Sequence, residues 1–232
     1  MSVLFPNGYK CLICNKEIVS DKKFCLCDKC LSELPKIVGN VCERCGEPIN
    51  ADSKFCVHCK KELPVFTKCV SPFVFEGEVV NLVHGLKYNG HIYYAKTLSN
   101  LMLKTVLENN LEFDVVIPVP LNLRREGTRG FNQSELLCSG FSDAGYNVDS
   151  SIVVRSKNTA TQTFLSKTER KQNVENAFKV LNKSKVKGKN ILVVDDVYTT
   201  GATINAIAQV LKNAGAKNVY GVTFAHTIIP TK

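Results

Sequence analysis

The sequence predicts an α/β fold with a mainly parallel sheet flanked by helices, preceded by a small metal-held module. Three observations predict it. From residue 65 onward, apolar runs of strand length alternate with segments of helical period. Four C-x-x-C pairs, Cys11/Cys14, Cys27/Cys30, Cys42/Cys45 and Cys56/Cys59, all fall before residue 60. The run ILVVD (191–195) ends in the adjacent carboxylates Asp195 and Asp196, and a threonine- and glycine-rich turn and a helix follow.

The chain has 232 residues, enough for one large domain and a small module. No window approaches about 18 uninterrupted apolar residues, so membrane insertion is not expected. The opening MSVLFPNGYKC lacks the apolar region of a secretory signal, and a cytoplasmic location is the default expectation.

The cysteine-rich part is an internal repeat. Cys27, Cys30, Glu33, Leu34 and Pro35 recur 29 residues later as Cys56, Cys59, Glu62, Leu63 and Pro64; Cys11 and Cys14 recur 31 residues later as Cys42 and Cys45. Each copy is too short to bury a core, so a metal must hold it. Without an export signal, paired cysteines point to zinc rather than disulfides. Pairing within a repeat gives Cys11, Cys14, Cys27, Cys30 and Cys42, Cys45, Cys56, Cys59, with pairing across repeats left open. One or two zinc ions are expected. Four thiolates leave no position for a catalytic water, so the zinc is structural. Cys25 competes for the first site, His58 reads as solvated filler, and Cys69 and Cys138 as buried thiols.

The formal charge is +9. Two tetrathiolate zinc sites would lower it to about +5. Residues 1–69 hold 11 Lys/Arg and 8 Asp/Glu, against 19 and 13 in residues 70–232. The basic excess therefore sits on the larger part and suits phosphate-bearing ligands there. The domains read as 1–69 and 70–232.

After Pro64, residues 65–78 read as extended. Residues 78–87 and 92–108 read as helices, the second with Tyr94, Leu98, Leu101, Met102 and Thr105 as a stripe. DVVIPVP (114–120) is a short buried strand stopped by prolines. Residues 130–145 read as one helix and 151–154 as a second strand of the sheet. The polar stretch 155–190 is partly helical around 168–177. Residues 191–195 form a third strand, 202–214 a helix ended by Gly215, and 219–225 a fourth strand.

In an open α/β sheet, ligands bind beyond the carboxyl ends of the strands, where Asp195 and Asp196 are expected. Thr199, Thr200, Gly201, Ala202 and Thr203 then open the helix. Free amides at a helix start bind phosphate, threonine hydroxyls add donors, and glycine permits close approach. Carboxylates repel phosphate, so they must face another part of the ligand that offers donors. A ribose 5-phosphate satisfies both, with its phosphate in the turn and its 2- and 3-hydroxyls on the aspartates. G-x-x-x-x-G-K-[ST] and G-x-G-x-x-G are absent.

VVDDVYTTGAT resembles the signature with which type I phosphoribosyltransferases hold 5-phosphoribosyl 1-pyrophosphate (PRPP). With the paired C-x-x-C repeats, LVHGLKYNG (82–90), VIPVPLNLRREGTRGFNQSELL (116–137), the T-x-x-Q-x-x-L-S stretch from Thr159, Arg170 and Asn173, the chain resembles the ComF family of competence proteins over nearly its full length. The resemblance implies a type I phosphoribosyltransferase-like fold with an N-terminal zinc-binding module. It places Asp195 and Asp196 on the ribose hydroxyls, directly or through magnesium, and Thr199 to Thr203 on the 5-phosphate. It implies displacement of pyrophosphate at the anomeric carbon, with magnesium accompanying PRPP. Arg124, Arg125 and Arg129 are candidates for the pyrophosphate, with Arg129 joined to the catalytic set, and Lys87 is a weaker one. Asn132 and Gln133 either read an acceptor or cap a helix. Residues 155–178 read as a flap carrying Gln162 and Arg170 over the ligand. The resemblance also implies partners, single-stranded DNA or a protein of the competence machinery. The alternative function is a non-catalytic nucleotide sensor that binds DNA or a partner.

Overall fold

The computed structural model describes residues 8–19, 24–50, 52–88, 90–121, 130–155 and 177–228. Its centre is a five-stranded, wholly parallel sheet ordered β3-β9-β8-β5, with β4 also on β9. The strands are β3 (Lys68–Val70), β4 (Phe73–Val74), β5 (Val115–Pro118), β8 (Asn190–Tyr198) and β9 (Asn218–His226). Ile191, Leu192, Val193 and Val194 of β8 are all fully buried, because β8 lies between two strands and helices cover both faces.

Alternation along the strands divides the interior into two cores. Leu192, Val194, Val222 and Phe224 face α3 (Glu78–Tyr88) and α4 (Tyr94–Glu108). Ile191, Val193 and Val219 face α7 (Ala202–Asn213). The expected stripe on α4 is present, with Leu98, Leu101 and Met102 buried and Tyr94 and Thr105 at its edge. On α7, Ile204, Ile207, Ala208 and Leu211 form the buried face. This helix ends on Gly215 at φ +94°, whose N–H bonds Lys212 while Ala216 N–H bonds Leu211, so two orphan carbonyls are satisfied.

The cysteine repeats are ribbons with little secondary structure: β1 (Gly8–Lys10) pairs antiparallel with β2 (Glu17–Val19), and α1 (Asp28–Glu33) and α2 (Val57–Lys61) begin inside the second C-x-x-C pair of each copy, capped by its first cysteine and carrying its second. The first ribbon joins the α3/α4 core through Ile18, Leu26 and Leu34, and the second joins the α7 core beside Phe66. The ribbons thus lie on opposite faces of the sheet. β3 begins at Lys68, just before the junction drawn at residue 69.

Three expectations are corrected. Residues 130–145 form two short helices, α5 (Gln133–Leu136) and α6 (Ser139–Asp143). Ser99 on α4 divides them: its hydroxyl donates to Leu137 C=O at 2.5 Å and accepts Gly140 N–H at 2.8 Å. Residues 151–154 do not join the main sheet; β6 (Val153–Arg155) pairs antiparallel with β7 (Phe178–Val180) in a separate ribbon. β8 does not stop at the acidic pair but continues to Tyr198, held by β9 as far as His226. The expected helix around 168–177 lies outside the described residues.

Candidate functional site

Partner β5 ends at Pro118, opposite Val194, so β8 projects past it on that side and carries Asp195 and Asp196 beyond its edge. The Asp195 carboxylate accepts the Ser134 hydroxyl at 2.9 Å and the Asp196 backbone N–H at 2.9 Å through the same oxygen. Ser134 is in place because Asn132 caps α5, its side chain accepting Ser134 N–H and donating to Val119 C=O. Asn132 is therefore a cap; Gln133 beside it is buried. Lys87, in the last turn of α3, reaches Asp196 with Nζ–Oδ1 at 2.8 Å, both side chains largely buried. The other Asp196 oxygen, Oδ2, is buried and finds no donor among the described residues. A buried carboxylate oxygen without a donor is rare and calls for a partner, whether water, a cation or a hydroxyl. Burial first, then the charge on Asp196, pushes Asp195 up to about 7, against the lowering effect of the Asp196 amide, Ser134 and Lys87.

Past Tyr198 the backbone turns through exposed Thr199 and Thr200 and buried Gly201 into α7. Gly201 has φ +72°, the left-handed region that glycine enters freely, and no side chain caps the helix start. Three residues thus separate the strand from a helix of 12 residues whose start carries no side-chain cap. Of the expected site residues, Lys87, Asp195, Asp196, Thr199, Thr200, Gly201, Ala202 and Thr203 converge on this end of β8. Arg124, Arg125, Arg129, Gln162, Arg170 and Asn173 lie outside the described residues, as does the expected flap except for its ends, Arg155 in β6 and Ala177 and Phe178 leading into β7. Ser134 escaped sequence reasoning, because a single serine 61 residues from Asp195 carries no pattern.

The cysteines form two groups, Cys11–Cys14–Cys27–Cys30 and Cys42–Cys45–Cys56–Cys59, each with its sulfurs within 4.8 Å of one another. Cys25 and His58 belong to neither. The sulfur–sulfur approaches, 3.8 Å for Cys14–Cys27 and 3.6 Å for Cys45–Cys56, match the edge of about 3.8 Å expected of a tetrahedron with zinc–sulfur bonds of about 2.3 Å. Cys27 and Cys56 also accept the N–H groups of Cys30 and Cys59. Burial raises the Cys11 thiol, yet the amides of Cys14, Cys27 and Ile13 outweigh it and bring it down to about 6. Burial, with the neighbouring thiolates, pushes Cys59 up to about 12. Sulfurs this close cannot all ionise without a cation, and the donor set suits structural zinc. Cys69 and Cys138 are buried, as expected, and burial raises both thiols.

This is a phosphoribosyltransferase-type domain joined to a double zinc ribbon, and comparison with known proteins agrees. Residues 140–230 match the phosphoribosyl transferase domain, and residues 1–60 match the double zinc ribbon domain. The chain is 37% identical over 200 residues to the DNA utilization protein YhgH of Shigella flexneri, covering 84% of this chain and 87% of that one. It is 29% identical over 220 residues to Competence protein F of Haemophilus influenzae, covering 91% and 94%. Among solved structures, glutamine phosphoribosylpyrophosphate amidotransferase from B. subtilis aligns over 56% of this chain and 26% of that one, at 23% identity and a TM-score of 0.37. The chain belongs to the ComF family of competence proteins. Among the described residues, no helix is long and apolar enough to cross a membrane.

Proposed function

We propose that this protein binds PRPP and transfers its phosphoribosyl group to an acceptor, releasing pyrophosphate, in the handling of DNA during competence. The observation that carries the reading is the carboxylate pair, with one buried oxygen that finds no donor among the described residues, set beside an uncapped helix start. The ribose 2- and 3-hydroxyls supply the missing donors to Asp195 and Asp196. The 5-phosphate takes the amides and hydroxyls of Thr199 to Thr203. Lys87 offsets one carboxylate charge next to an incoming polyanion. Magnesium accompanies PRPP, keeping most of its waters. From the sequence we assign Arg124, Arg125 and Arg129 to the pyrophosphate, and Gln162 and Arg170 to covering the ligand.

In the reaction, the acceptor's lone pair forms a bond to the anomeric carbon as the bond to pyrophosphate breaks. The electron pair leaves with pyrophosphate, and an acceptor nitrogen then loses its proton. The chain's residues position the sugar and neutralise the leaving group. Zinc at the two cysteine groups, one ion each, is structural.

The test is a pyrophosphate-release assay with PRPP and magnesium across nucleobases, amines and single-stranded DNA. Release with one acceptor class, lost in Asp195→Asn/Asp196→Asn, is expected. PRPP binding with no release from any acceptor would instead mark the protein as a sensor that uses the site without chemistry.

A further inference from the structure

Tyr198 ends β8 and stands under the start of the turn. Its ring stacks on His226, centroids 4.5 Å apart and planes 18° from parallel, and meets Phe66 edge-on at 6.4 Å. Its hydroxyl lies against Gly201, only 2.1 Å from where a Cβ at that position would stand. The backbone of the turn therefore rests on the tyrosine.

Behind Tyr198 lies the second cysteine group, which shares one core with Phe66, Tyr198 and Ile204. Two further ties run from this ribbon toward the helix start. Arg44 Nη1 donates to the carbonyls of Phe66 and Thr67 at 2.8 and 2.9 Å, fixing the segment that leaves the ribbon. On that segment, Val65 N–H donates to Asn205 Oδ1 at 2.6 Å, and Asn205 N–H in turn bonds Gly201 C=O at 2.9 Å.

We infer that the second cysteine group is a working part of the phosphate cup, and that Tyr198 is the positioning residue through which it acts. This rests on the reading of residues 199–203 as the phosphate loop. An anion cup acts through donors held in place before the ligand arrives. Thr199 and Thr200 are exposed, so the order of the turn comes from what lies beneath it. If the tyrosine loses its seat, ordering the turn becomes a cost of binding. The first cysteine group sits on the other face of the sheet, against α3 and α4.

The test uses the full-length protein with zinc bound and two probes, ribose 5-phosphate and magnesium pyrophosphate, titrated by calorimetry. Tyr198→Leu is expected to weaken ribose 5-phosphate by about tenfold while leaving pyrophosphate affinity as in the wild type, a split that general loss of structure does not produce. Tyr198→Phe, which keeps the ring, restores most of the loss. Asn205→Ala, a milder change that serves if the leucine variant does not fold, weakens ribose 5-phosphate by about threefold. Wild-type binding of ribose 5-phosphate with full affinity retained in the tyrosine and asparagine variants would overturn the inference alone. A wild type that binds no ribose 5-phosphate would overturn the loop assignment and the inference with it.

Discussion

The two zinc ribbons began as copies of one unit, yet the fold uses them differently. The second is sealed: all four of its cysteines are buried, and its core is the α7 core. The first is more open: Cys14 is exposed and Cys27 only partly covered, while Cys11 and Cys30 are buried with Ile18, Leu26 and Leu34 in the α3/α4 core, and Cys25 N–H to Thr97 Oγ1 and Tyr94 hydroxyl to Leu12 C=O add hydrogen bonds to α4. A metal motif that is half open to solvent on one face of the sheet is wholly enclosed on the other. The cost of losing a ligand should follow that difference.

The largest effect is expected from the cysteines themselves. Cys45→Ser should destabilise the protein by about 4 kcal/mol or more, since it removes a metal ligand and opens a core. Cys14→Ser should cost less, and zinc should leave the first site before the second when a chromogenic chelator competes. Urea unfolding and the release kinetics check this; equal losses and equal rates would erase the distinction between the ribbons.

Next comes Lys87→Met. It keeps the apolar stem but leaves the buried Asp196 carboxylate next to Asp195 without its cation, at a cost of about 2–3 kcal/mol. Thermal unfolding of the single variant and of Lys87→Met/Asp196→Asn checks it. The second change should restore most of the loss, and an additive result would show that the ion pair contributes little.

The smallest effect is in pH. Asp195 binds its proton more tightly folded than unfolded, so its contribution to stability is full below the ordinary aspartate range and is lost as pH rises toward about 7. Without magnesium or ligand, wild type should lose stability between pH 5 and 8, values that bracket the upper part of that range. Asp195→Asn should lack this part of the slope. Parallel stability profiles for the two proteins would rule out the raised carboxyl.

What the sequence disclosed of this fold was what neighbours in the chain decide. The period of α7, its glycine stop, the apolar run of β8 and the acidic pair beside its turn all lie within residues 190–215, and each is set by local rules. The repeat in the cysteines likewise exposed both metal groups. What stayed hidden depends on distant partners. Ser99 splits the 130–145 segment from another helix. Ser134 holds Asp195 across 61 residues. β8 outruns its expected end because β9 keeps pairing with it. Tyr198 belongs to no pattern in the sequence, and only its contacts with His226, Phe66 and Gly201 show it as a support.

The most direct measurement of the central claim is calorimetric titration of PRPP, with magnesium, into wild type and Asp195→Asn/Asp196→Asn. Saturable one-to-one binding that falls by at least about a hundredfold in the double variant is the predicted result. Equal affinity in both proteins, with the variant folded and zinc retained, would contradict the assignment of the sugar to the carboxylate pair.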